Sequence, residues 1–142
     1  MYSEDQLQHP KRSGSEDQLQ AQIVTLTRNN YDCIIFSIPN GGFRNKLEAS
    51  KLKATGLLAG IPDLIITYNE HQNDCGGGIV FIELKTEKGK LSEQQELIHR
   101  KLRSHNHRVF IIRTLQEYQE LLTTLQVPLK VHKLQQSNNQ ST

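Results

Sequence analysis

Three features of the sequence predict an α/β domain with a mixed central sheet flanked by helices. Short apolar runs rich in β-branched residues alternate with stretches of helical periodicity. Two of the runs are joined by a polar segment that closes on glycines, the pattern of a hairpin and so of antiparallel pairing. Strand, helix and strand in succession imply a right-handed parallel crossover. One sheet must then contain both pairing senses.

The elements follow in order. Ser3–Gln8 and Ser15–Gln20 both read SEDQLQ and both carry an S-x-x-Q capping box, but only the second copy continues into a helical stripe, Leu19, Ile23 and Leu26. Helix 1 is expected from Ser15 to about Asn30, with residues 1–14 a flexible N-terminal arm. Cys33 to Ile38 reads as a strand, stopped by Pro39-Asn40-Gly41-Gly42. A short basic helix from about Arg44 to Thr55 ends at Gly56, the residue type that best tolerates the left-handed position after a helix. Gly60-Ile61-Pro62 leads into the strand Asp63–Tyr68, and Asn69–Gly78 forms the hairpin tip that returns as Ile79–Lys85. Ser92 can cap a helix carrying Ile98 and Leu102, Arg108–Arg113 is the next strand, and the box Thr114-x-x-Glu117 opens a last helix with Leu115, Tyr118, Leu122 and Leu125. The working domain is residues 15–125, and residues 126–142 form a polar tail whose end, from about Lys133, is too polar to pack.

Composition limits the alternatives. With 142 residues, 35% of them hydrophobic, the chain can bury one modest core and not two. No apolar run approaches a membrane span, and the first residues are too polar for a signal peptide, so a soluble, cytoplasmic protein is expected. Cys33 and Cys75 lack CxxC spacing, which suits a reducing compartment and structural roles. The net charge of +2 says little, but basic residues cluster twice: Arg44, Lys46, Lys51 and Lys53, then Arg100, Lys101, Arg103 and Arg108 with His99, His105 and His107. Such clusters suit a polyanion and equally describe solvated helix faces. His105-Asn106-His107 spells HNH, but the nuclease motif of that name disperses its residues. The histidines and cysteines lack zinc-ligand spacing, and Cys75-Gly76-Gly77-Gly78 lacks the ending of a phosphate loop.

Chemistry converges on the returning strand. Alternation places Ile79, Phe81, Glu83 and Lys85 on one face, so two charges end a face that began apolar. Antiparallel pairing across the hairpin sets Asp63 beside Glu83, and two neighbouring carboxylates repel unless a cation lies between them. A hard divalent metal with oxygen ligands is the natural cation. Glu16 falls at the edge of the buried stripe of helix 1, where it either leans over the sheet or simply favours the helix dipole. Gln95 either closes the capping box of Ser92 or points inward as a neutral hydrogen-bonder beside the site.

Glu16, Gly60-Ile61-Pro62-Asp63, Glu83-Leu84-Lys85 and Leu91-Ser92-x-x-Gln95, in that order, resemble the virus-type replication-repair nuclease (VRR-NUC) domain of the PD-(D/E)XK superfamily. Pro39-Asn40-Gly41-Gly42-x-Arg44 and the segment from Gly56 to Gly60 fit the same pattern, and the resemblance spans Ser15 to Leu125. Asn106 stands where a glycine is usual, the hairpin tip is long, and the duplicated arm has no expected counterpart. The resemblance implies a restriction-endonuclease-like core and metal-dependent hydrolysis of DNA phosphodiesters in replication, repair or recombination. It implies that Glu16, Asp63, Glu83 and the Leu84 carbonyl hold Mg²⁺ or Mn²⁺. Lys85 then orients or deprotonates the attacking water while Gln95 steadies the site. Asn40, Gly41, Gly42, Arg44, Lys46, Lys51 and Lys53 are the candidates for gripping the DNA backbone. Stand-alone members further imply a homodimer acting on four-way (Holliday) junctions or other branched DNA, in a bacterial or phage-infected bacterial cell. The competing reading is a catalytically silent nucleic-acid-binding or assembly protein on the same fold. The intact acidic set with Lys85 favours the enzyme.

Overall fold

The computed structural model describes residues 14–39, 45–70 and 77–131. The expected arm, the Asn40–Arg44 loop, most of the hairpin tip with Cys75, and the end of the tail lie outside the described residues. Among the described residues four helices and four strands follow in the order α1 (Gly14–Asn30), β1 (Ile34–Ser37), α2 (Lys46–Ala54), β2 (Leu64–Tyr68), β3 (Gly78–Leu84), α3 (Glu93–Ser104), β4 (Arg108–Ile112) and α4 (Leu115–Thr124). The sheet has the order β1-β2-β3-β4, with β1/β2 and β2/β3 antiparallel and β3/β4 parallel. It is the mixed α/β sheet that the alternating patterns predict.

Three local expectations need correction. Helix α1 begins at Gly14, which takes Ser15 into the first turn instead of leaving it as the cap. The passage from β1 through α2 to β2 is not a parallel crossover, because its two strands pair antiparallel. The reason lies in α2, which buries no residue and so has no apolar stripe to lay across the sheet. Only β3-α3-β4 has the expected parallel form. The packed chain also runs past Leu125: Val127 is buried, Leu129 bridges Tyr31, and Lys130 N–H donates to the Asn30 carbonyl.

The main core lies on one face of the sheet. Ile35, Leu64, Ile66, Val80, Ile82, Leu84 and Ile112 pack there with Ile23 of α1 and Tyr118 and Leu122 of α4. Each fully buried aliphatic side chain contributes about 1.5–3 kcal/mol. Thr27 Oγ1 donates to the Ile23 carbonyl at 2.6 Å and lies 2.5 Å from the Tyr118 hydroxyl, tying α1 to α4 within that core. Cys33 packs half-buried at the edge of the core, and burial pushes its thiol up to about 11, in keeping with a structural role. On the opposite face α3 lies against β4, while Ile34, Phe36 and Ile79 remain exposed. No helix among the described residues is long and apolar enough to cross a membrane.

Two left-handed residues end helices as the sequence suggests. Gly56 follows α2 with φ +111°, and Asn106 follows α3 with φ 65°. Gly60 is more demanding: its φ is +83°, and a Cβ there would stand 2.6 Å from the Gln94 carbonyl oxygen. The turn before β2 therefore lies directly on the first turn of α3. Gly60→Ala is expected to cost on the order of 1–3 kcal/mol in chemical denaturation, through strain at positive φ and displacement of the α3 backbone. A midpoint equal to that of the parent chain would contradict this packing.

Candidate active site

The sequence places polar residues at both ends of one strand pair, and the register brings them together. Leu64 pairs with Ile82, so Asp63, one residue before β2, stands opposite Glu83. Asp63 Oδ2 accepts the Leu84 N–H at 2.8 Å, and the Asp63 carbonyl accepts Ile38 N–H, which joins the ends of β1, β2 and β3. Pro62 before it is fully buried. Both carboxylates are nearly inaccessible, Asp63 at 4% and Glu83 at 1% exposure.

Glu83 is held from two sides. Gln95 Nε2 donates to its Oε1 at 2.9 Å, and His99 Nε2 lies 3.3 Å from its Oε2. Lys85, on the same strand face, brings Nζ to 3.8 Å from Oε1, an ion-pair distance too long for a hydrogen bond. Gln95 fills both roles between which its spacing does not discriminate. Its Oε1 accepts Ser92 N–H at 2.9 Å to complete the capping box, while Ser92 Oγ accepts Gln95 N–H. Since the cap takes the oxygen end of the amide, the nitrogen end must face Glu83. The segment joining Lys85 to α3 is fixed by Arg113, whose Nη1 donates to the carbonyls of Thr86 and Gly89 at 2.7 Å each.

The donors do not offset the burial of Glu83. Removing a carboxylate from water costs several kcal/mol, whereas a hydrogen bond to a charged group returns about 1.5–3. Burial accordingly pushes the Glu83 carboxyl above its usual range, with Asp63 adding to the rise and the hydrogen bond from His99 and the nearby Lys85 opposing it. A hard divalent cation suits two carboxylates buried side by side. Asp63 and Glu83 supply oxygen donors, and Mg²⁺ keeps several of its waters and needs few protein ligands. Among the described residues no group of three or more His, Cys, Asp or Glu side chains is drawn together to hold a metal.

Glu16 is half-buried in the first turn of α1. The structure does not draw Glu16 together with Asp63 and Glu83 as a third acidic ligand among the described residues. Lys46, Lys51 and Lys53 are exposed on α2. Asn40, Gly41, Gly42 and Arg44 lie outside the described residues.

The second basic cluster is only partly a surface feature. Arg100, Lys101, His105 and His107 are exposed, but His99 is 1% exposed, and Arg108 pairs with Glu70 at 2.5 Å. His99 is the site residue that sequence reasoning missed. Its spacing of four from Gln95, on the same helix face, was the available signal.

A family model described as the VRR-NUC domain matches residues 3–115. No curated protein matches by sequence. A solved structure described as a VRR_NUC domain protein aligns with a TM-score of 0.59 at 19% identity, covering 80% of this chain and 89% of that one. A second, described as a VRR_NUC domain, aligns with a TM-score of 0.54 at 18% identity over 78% and 97%. At such identities the structures speak to the fold, which they share with this chain.

The raised carboxyl of Glu83 has a thermodynamic consequence. Between the ordinary value of 4.5 and its own higher one, folded Glu83 holds more proton than the unfolded chain. The metal-free fold therefore loses stability as pH rises through that window. Glu83→Gln, with no charge to desolvate, should melt above the parent at neutral pH without divalent ions, and the gap should close as pH falls towards 4.5. Thermal melts across that range check it, and identical melting at neutral pH would contradict the burial argument.

Proposed function

Because the chain belongs to the VRR-NUC domain family, a nuclease family of PD-(D/E)XK-like fold, we propose that it is a divalent-metal-dependent DNA endonuclease acting at the Asp63–Glu83 pair. The observation that carries this reading is the burial of two facing carboxylates with Lys85 and Gln95 around them. An inert binding protein has no use for like charges confined together at that cost.

Glu16, Asp63, Glu83 and the Leu84 carbonyl are the proposed ligands of Mg²⁺ or Mn²⁺. When bound, such an ion lowers the pKa of its water and neutralises charge developing on the phosphoryl group. The remaining work falls to the chain itself. Lys85 Nζ, 3.8 Å from Glu83 Oε1, orients the attacking water or takes up its proton. Gln95 keeps the Glu83 carboxylate in place without adding charge. The exposed lysines of α2, Lys46, Lys51 and Lys53, with Asn40, Gly41, Gly42 and Arg44 before them, contact the phosphate backbone and position the scissile bond. A surface helix that buries nothing can spend all its faces on such contacts.

For substrate shape, the proposal is a homodimer acting on four-way junctions or other branched DNA. The exposed Ile34, Phe36 and Ile79 support it as apolar surface that a symmetric pairing would cover. A reducing cytoplasm, in a bacterial or phage-infected bacterial cell, is the proposed setting, and Cys33, which forms no disulfide, accords with it.

Two experiments test the reading. Asp63→Asn should remove a metal ligand while relieving repulsion against phosphate. Cleavage of plasmid and branched DNA should fall by about 100-fold or more, as EDTA also makes it fall, with DNA binding retained. Unimpaired cleavage by the purified variant would sink the site assignment. Light scattering should give the mass of a dimer, and a panel of linear duplex, flap and four-way DNA should show the junction cut fastest. A monomer that cuts linear duplex as readily as the junction refutes the second part alone.

A further inference from the structure

Helix α3 presents two nitrogen donors to Glu83 from positions one turn apart. Gln95 Nε2 meets Oε1 at 2.9 Å, and His99 Nε2 meets Oε2 at 3.3 Å. The position of His99 is costly for the fold. The ring is 1% exposed, and among the described residues its Nδ1 is buried without a hydrogen-bond partner and its polar contact is Glu83 alone. A leucine or phenylalanine would fill such a volume without burying an unpaired ring nitrogen. Core packing therefore does not ask for histidine there.

The hydrogen bond to Glu83 does. With nothing for Nδ1 to donate to, a neutral ring places its proton on Nε2, facing Oε2. A carboxylate with a donor on one oxygen still rotates about its terminal torsion, which is broad. With a donor on each oxygen its plane is fixed, and so is the direction of the lone pairs that remain. Gln95 cannot fix that plane alone, because its other end is committed to the Ser92 cap.

We propose that His99 is a positioning residue of the nuclease site: with Gln95 it clamps both oxygens of Glu83 and sets the orientation in which that carboxylate meets the divalent cation. The role rests on the nuclease reading above and belongs to a class whose loss weakens metal binding about 10–100-fold.

The test is direct metal binding by the full-length chain without DNA. Mn²⁺ is titrated and the free ion read by electron paramagnetic resonance, with thermal melts of each variant alongside. His99→Leu, which keeps apolar volume and removes the donor, should fold, bind Mn²⁺ about 10–100-fold more weakly, and recover cleavage as Mg²⁺ is raised. His99→Gln, whose amide reaches about as far as Nε2, should bind within a few-fold of the parent. His99→Phe serves as a second apolar replacement. A folded His99→Leu or His99→Phe protein that binds Mn²⁺ as tightly as the parent overturns the proposal, as does failure of both to fold, which would make His99 a packing residue. A parent chain that binds no Mn²⁺ overturns the nuclease reading itself, an outcome distinct from parental binding that His99 does not influence.

Discussion

A carboxylate taken out of water near the end of a strand must be met by donors, and the arrangement around Glu83 follows from that requirement. One neighbour is Asp63, itself a buried acid, whose Oδ2 takes the Leu84 N–H and so locks the end of β3 to the start of β2. The other neighbours come from α3, which has to dock where Gln95 and His99 reach the two oxygens. Two tight connections hold it there. Gly60 lies against the Gln94 carbonyl on one side, and Arg113 grips the carbonyls of the loop after Lys85 on the other. With α3 packed on the sheet, the chain returns as β4, parallel to β3.

Strand β3 divides two kinds of interior. Val80, Ile82 and Leu84 face α1 and α4 in a wholly apolar core, whereas Glu83 and Lys85 face the side where α3 packs. The apolar side contributes stability through area removed from water. The other side spends part of it, since hydrogen bonds to a buried charge do not restore what hydration supplied. A domain with one modest core tolerates few such expenses, and among the described residues the buried charged side chains Asp63, Glu83 and Lys85 lie together.

Gln95 shows how local and long-range demands can agree. As a helix-capping residue it answers to Ser92, three positions away; as a donor it answers to Glu83, twelve positions away on another element. The cap fixes which end of the amide is oxygen, and the carboxylate uses the end that is left. Spacing alone presented these as rivals because each explains the residue type by itself. His99 is the opposite case, since its sequence neighbours Arg100, Lys101 and Arg103 suggest a basic surface that it does not join.

By itself the sequence determined the order and type of the elements, the glycine or asparagine after two helices, the antiparallel pairing of β2 with β3, and hence the facing of Asp63 and Glu83. Each of those is written in contiguous residues: a hydrophobic period, a cap, a turn, or two strands joined by one polar, glycine-rich hairpin tip. Only the tertiary structure decided that β1 and β2 pair antiparallel and that His99 is buried against Glu83. The period of α3 does predict an inward face. What that face meets depends on where the helix docks, and docking is settled by the summed packing of distant segments, which no local pattern records.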